Sequence, residues 1–144
     1  MAYKGKYSVK NASKYVGDST KVIYRSLWER RFMVFCDTNK QVKSWSSETI
    51  VVPYVSPVDN KVHRYFVDFI VNYVDKTGEE RISLIEIKPK RQCKEPPKRK
   101  KITRSYLNEC KRWSINKAKW EHARAFATKR GWDFKILTEK ELLL

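Results

Sequence analysis

Asp68 and the triplet Glu86-Ile87-Lys88 sit on two apolar runs separated by a turn-rich gap, a spacing that brings two carboxylates and an ammonium to one point. The run from Tyr65 to Val74 is β-branched and aromatic and reads as a strand. Its period of two sends Asp68 to the face shared by Phe66, Ile70 and Val74. The same rule puts Leu84, Glu86 and Lys88 on one face of a second strand, Ile82 to Lys88. Asp75-Lys76-Thr77-Gly78 between them is hairpin chemistry, so the strands are expected side by side and antiparallel. Carboxylates on buried strands carry a heavy desolvation cost unless a cation accompanies them. Hard divalent ions favour carboxylate oxygens; such an ion polarises a phosphate, lowers the pKa of a bound water and stabilises developing charge. Asp68 and Glu86 are therefore candidate ligands of magnesium, and Lys88 is a candidate to orient the attacking water or neutralise the phosphorus centre. Acid-x-Lys is also a common tripeptide, and spacing alone fits Glu86 and Lys88 as solvated residues ending an edge strand.

The remaining chain supplies the elements that must position these groups. A short helix is expected over Asn11 to Val16, broken at Gly17-Asp18. A second helix starts at the N-cap candidate Ser26 and carries Trp28, Phe32 and Phe35 as an apolar stripe before Asp37. Glu29, three residues after the cap, completes a Ser-x-x-Glu capping box and can return a hydrogen bond to the backbone of Ser26. Val42 to Ser46 and Thr49 to Val55 read as strands, and Ser56 to Asn60 as the turn leading to the Asp68 strand. Tyr106 to Lys129 reads as helix with a break near Ser114, its buried face marked by Trp120, Ala123 and Ala127 and its end by Gly131. Trp132 to Leu137 is a further strand, and Thr138-Glu139-Lys140-Glu141 a capping box for a last helix. The expected fold is α+β, an α/β/α sandwich with a mixed sheet of about five strands, forming one domain over residues 1–144.

Charge points to the partner. The 144 residues carry 32 Lys and Arg against 16 Asp and Glu, a net charge of +16 that exceeds what solubility needs and implies a large anion. Between Lys88 and Arg112 there are 11 basic residues against Glu95 and Glu109. Such density displaces counterions from a phosphate backbone and gives sequence-independent, salt-sensitive affinity. Lys90, Arg91, Lys94, Lys98, Arg99, Lys100, Lys101 and Arg104 are the candidate DNA contacts. Pro89, Pro96 and Pro97 forbid regular helix, so residues 89–104 are expected as a mobile loop that orders on nucleic acid.

On these residues the chain resembles the PD-(D/E)XK nuclease superfamily, with Asp68 as the first acid and Glu86-Ile87-Lys88 as the acid-x-Lys element. More narrowly it is similar to the branch containing the endonuclease subunit of Tn7-type transposases and the head completion nuclease of T4-type phages. The matching blocks are Ser26-Leu27-Trp28-Glu29, Val42-Lys43-Ser44-Trp45, Arg64 to Phe69, Ile85 to Pro89, and Lys119-Trp120 through Gly131 to Glu139. They run in family order over most of the chain. Two departures are visible: Val67 stands where the superfamily usually has proline, and no glutamine-centred exonuclease motif follows Lys88. The resemblance implies a restriction-endonuclease-like fold and a magnesium-dependent DNA endonuclease in which manganese can substitute. It also implies Glu29 as an auxiliary active-site acid that helps hold metal or water, a role the capping box does not require. Double-stranded DNA is the implied substrate, and portal, connector or other head completion proteins are the implied partners. The implied location is the host cytoplasm during assembly, with retention in the virion as an extension of it. A transposition or repair endonuclease of the same fold, and a non-enzymatic protein that binds DNA ends in the head, are the competing readings.

The other conspicuous residues read first as packing. Trp45, Trp113, Trp120 and Trp132 suit core positions, although one near the basic loop can stack on a base. His63 and His122 are too few and too far apart for a histidine metal site, which leaves a phosphate contact as the alternative for His63. Cys36, Cys93 and Cys110 lack metal-ligand spacing and read as reduced thiols. There is no membrane-spanning run and no P-loop, so neither a membrane nor a nucleotide cofactor is expected.

Overall fold

The computed structural model describes residues 4–142. Its centre is a four-stranded mixed sheet in the order β3-β6-β7-β8, built from β3 (Val42–Ser47), β6 (Phe69–Val74), β7 (Glu80–Ile87) and β8 (Asp133–Leu137). The first three strands pair antiparallel and β8 joins β7 in parallel. Two small ribbons stand outside this sheet, β1 (Gly5–Lys6) with β2 (Ile23–Tyr24), and β4 (Val51–Val55) with β5 (Val62–Phe66). The helices are α1 (Leu27–Thr38), α2 (Arg104–Lys129) and the short α3 (Glu139–Leu142). No helix among the described residues is long and apolar enough to cross a membrane.

The sheet separates two cores. Phe69, Val71, Ile85 and Ile87 point to one face and pack with Phe32, Met33 and Cys36 of α1. Leu84 and Phe134 point to the other and pack with Trp120, Ala123 and Ala127 of α2 together with Val52, Tyr54, Tyr65 and Val67. This is the expected sandwich, with four strands rather than about five in the central sheet. The difference arises because the run from Tyr65 to Val74 is not one strand. It leaves the β4–β5 ribbon after Phe66 and enters the central sheet at Phe69, turning at Val67-Asp68. Phe66 is consequently 47% exposed on the ribbon and shares no face with Ile70. Val67 N–H donates to Ile50 O at 3.1 Å, a bond that the proline usual at this position has no hydrogen to make.

The local signals mostly hold. Ser26 caps α1, the Asp75–Gly78 turn joins β6 to β7, and Gly131 follows α2 at φ +74°. Thr138 N–H donates to Glu141 Oε2 at 2.7 Å, closing the capping box of α3. Four expectations change. Asn11 to Val16 forms only a 3-10 turn at Ala12–Lys14. Phe35 is 50% exposed; the buried stripe of α1 is Phe32, Met33, Cys36 and Asp37. The helix over Ser114 is continuous and begins at Arg104, its N-terminus capped by Thr103. Asp37 does not mark the end of α1, which runs to Thr38: it is fully buried, accepting from Tyr7 Oη (2.7 Å), Lys10 N (2.8 Å) and Asn11 N (3.0 Å), and so ties the N-terminal segment to α1. Burial alone would raise its pKa, but these donors outweigh it and hold the carboxyl below the usual range.

Candidate active site

Asp68 occupies the corner where the chain passes from the ribbon into the sheet. Its Oδ2 accepts from Ile87 N at 2.8 Å, and its carbonyl from Glu48 N at 3.0 Å, so the backbone of β7 and of the β3–β4 connection fixes it from two sides. Glu86 lies on the α2 face of β7 with Leu84 and is 5% exposed. Tyr65 Oη donates to Glu86 Oε2. Burial, and the nearby charge and hydrogen bond of Glu86, hold the Asp68 carboxyl well above the usual carboxylate range. The Glu86 charge lies near enough to disfavour a second charge on Asp68, and neither acid has an ion-pair partner among the described residues.

Lys88 follows at the end of β7. Its N–H donates to Leu137 O at 3.0 Å, so the parallel strand β8 sets its register. Glu29 approaches from the first turn of α1. Ser26 Oγ accepts from Glu29 N at 3.1 Å, while the Glu29 carboxylate receives Arg25 N and Ser26 Oγ, each at 3.4 Å. The backbone bond expected to Ser26 thus goes to Arg25 instead. Burial raises the Glu29 pKa, Arg25 N–H opposes this, and the charges of Glu48 and Glu86 add to it. Glu29 is within electrostatic reach of both Asp68 and Glu86. Among the described residues, however, no three His, Cys, Asp or Glu side chains converge as a preformed metal cage. Arg25 flanks this edge and pairs with Glu48 at 2.7 and 3.1 Å.

The donor set suits a divalent cation. The buried Glu86 and the partly buried Asp68 repel one another and form no ion pair among the described residues, and hard oxygen donors are what magnesium or manganese would take. One further cation was not singled out in the sequence. Lys119 of α2 lies with its Nζ 5.9 Å from the Tyr54 ring centroid and 5.5 Å from that of Tyr65. Helical spacing carried the signal, since Lys119 precedes the buried Ala123 and Ala127 by one and two steps of four.

The basic segment continues from Lys88. Lys90, Arg91, Lys94, Lys98, Arg99, Lys100 and Lys101 are all exposed. Apart from a 3-10 turn at Lys90–Gln92 the segment has no regular structure before α2, which takes Arg104 as its first residue. It is anchored at two points: Lys90 N donates to Glu139 Oε1 at 2.7 Å, and Arg99 lies 3.9 Å from Glu109 and over the Tyr106 ring at 5.5 Å. Arg91, Arg104 and Arg112 line one groove with Asn108, extending the basic surface onto α2. His63 pairs with Asp59 at 2.8 Å and lies beside the Tyr54 ring. Trp45 and Trp120 are core residues, Trp113 and Trp132 pack partly buried beside Trp120, and all three cysteines are free.

Residues 39–139 match the family model described as TnsA-like endonuclease N terminal. The chain is also 43% identical over 146 residues to the head completion nuclease of Enterobacteria phage T4, an alignment covering 99% of this chain and 95% of that protein. No solved structure matches the chain. Asp68, Glu86 and Lys88 all fall inside the matched region, and the protein belongs to the TnsA-like endonuclease family.

Proposed function

We propose that the protein is a magnesium-dependent DNA endonuclease acting in phage head completion, where it processes packaged DNA before the head joins the tail. The observation that carries the chemistry is the juxtaposition of Asp68, bonded to Ile87 N, with the buried Glu86 and with Lys88 just past the end of β7. The relative named above supports the biological setting. Asp68 and Glu86 would hold the cation, with Glu29 as an auxiliary acid at the edge; when bound, it supplies positive charge at the scissile phosphate and acidifies water. Ile87 N–H keeps Asp68 Oδ2 in place, and Tyr65 does the same for Glu86. Lys88 would orient the attacking water, and Glu29 would help position it or take its proton. The water oxygen bonds to phosphorus as the bond to the 3′ oxygen breaks; that oxygen takes up a proton, leaving a 3′-hydroxyl and a 5′-phosphate. Exposed Lys and Arg from 90 to 104 hold the duplex backbone without reading its sequence. Head assembly proteins at the portal or connector are its proposed partners, in the host cytoplasm and then in the virion.

Nicking of supercoiled plasmid tests this reading. Cleavage is expected with magnesium or manganese and absent in EDTA, and Asp68→Ala or Glu86→Ala should abolish it while DNA affinity persists. Parental nicking by both variants would sink the assignment.

A further inference from the structure

Lys119 has no task in the hydrolysis proposed above. It lies on the stripe of α2 that faces the ribbon and sheet, where a lysine is costly unless its charge is used. The rings of Tyr54 and Tyr65 hold the ammonium at 5.9 and 5.5 Å, the range of a cation–π contact. Tyr65 in turn is bonded to Glu86, so the same ring that positions the ammonium also positions a candidate metal ligand. Burial lowers the Lys119 pKa, Glu86 and Asp68 counter this, and Lys88 is close enough to repel it. Lys119 lies against the two tyrosine rings and forms no ion pair among the described residues. Among the described residues neither Lys88 nor Lys119 forms an ion pair, and Lys119 lies within electrostatic reach of Glu86, Asp68 and Lys88. That arrangement is suited to a ligand bringing its own negative charge.

We propose that Lys119 is a substrate-binding residue that contacts a phosphate oxygen of the DNA strand being cut, with the rings of Tyr54 and Tyr65 fixing its position. This rests on the nuclease reading for its substrate, and a binding measurement separates the two. With the full chain and a short duplex in EDTA, Lys119→Met should lower the slope of log affinity against log salt by about 0.9, the value of one phosphate contact. In magnesium the same variant should raise KM by about tenfold or more, the worth of a charge-assisted hydrogen bond, with a smaller change in kcat and an unchanged Tm. Lys119→Arg should restore the slope. A parental slope together with a parental KM in Lys119→Met overturns the proposal. If Lys119→Met melts early, Lys119→Gln is read by the same criterion. Failure of the parental protein to nick plasmid refutes the hydrolytic reading, while the salt slope still decides the contact.

Discussion

Replacing Glu29 by glutamine separates the cap, which the structure shows, from the proposed part in cleavage, because the two differ in what they need. The cap is carried chiefly by Ser26, whose Oγ accepts from Glu29 N at 3.1 Å; the side-chain bonds from Arg25 N and Ser26 Oγ are each 3.4 Å, at the outer limit of a useful hydrogen bond. Glutamine keeps an acceptor oxygen for Arg25 N, so the capping loss is at most about 0.5 kcal/mol. Removing a half-buried charge near Glu48 and Glu86 works in the opposite direction. The net change in Tm for Glu29→Gln should therefore stay within about 2 °C, whereas Ser26→Ala should cost about 1 kcal/mol, or roughly 2–4 °C at this size. Cleavage should move the other way: Glu29→Gln loses most nicking at saturating magnesium, and Ser26→Ala keeps it. Thermal melts and a plasmid-nicking time course on the same preparations give both readouts. Parental nicking by Glu29→Gln, or a fall in Tm as large as that of Ser26→Ala, would refute the separation and leave Glu29 a helix cap.

Two further outcomes are expected. In EDTA, folded Asp68 retains a proton that the unfolded chain has already released, so the stability it contributes is greatest in acid and is lost as pH rises from the ordinary carboxylate range through its raised folded pKa; Asp68→Asn should flatten that part of a Tm–pH curve and raise the metal-free Tm at neutral pH, and an unaltered curve would refute it. Neutralising Lys98, Arg99, Lys100 and Lys101 together should lower the salt slope of duplex binding by roughly 3 to 4, with little change in Tm because the Arg99–Glu109 pair is 3.9 Å apart and exposed; an unchanged slope would move the DNA path elsewhere.

The parts of the fold that were legible in the sequence are those governed by local chemistry. Ser26, Asp75-Lys76-Thr77-Gly78, Gly131 and Thr138-x-x-Glu141 each fix an element end through bonds to near neighbours. The carboxylate pair was legible because period-two geometry and the hairpin together bring β6 against β7. What stayed hidden depends on distant partners. Nothing in the pattern of Tyr65 to Val74 marks a change of sheet, since a strand turning a corner keeps its apolar content while its alternation restarts. Asp37 looked like a helix end because the donors that satisfy it come from Tyr7, Lys10 and Asn11. The spacing of α1 points to Phe35 where the buried position is Cys36, and the ring partners of Lys119 lie on the ribbon, far from it in sequence.

The pairing of β8 with β7 also governs when the site can come into being. Lys88 is held by Leu137 O, and the helix carrying Glu29 is clasped at the other end of the chain, where Arg31 Nη1 donates to Leu142 O at 3.1 Å. A parallel strand added across the basic segment and the 26 residues of α2 must close a long loop before its contacts repay the entropy. Asp68, Glu86, Lys88 and Glu29 have all been synthesised long before that step. A chain ending at Arg130 would carry every proposed catalytic side chain but lack the strand and helix whose carbonyls hold Lys88 N and Arg31.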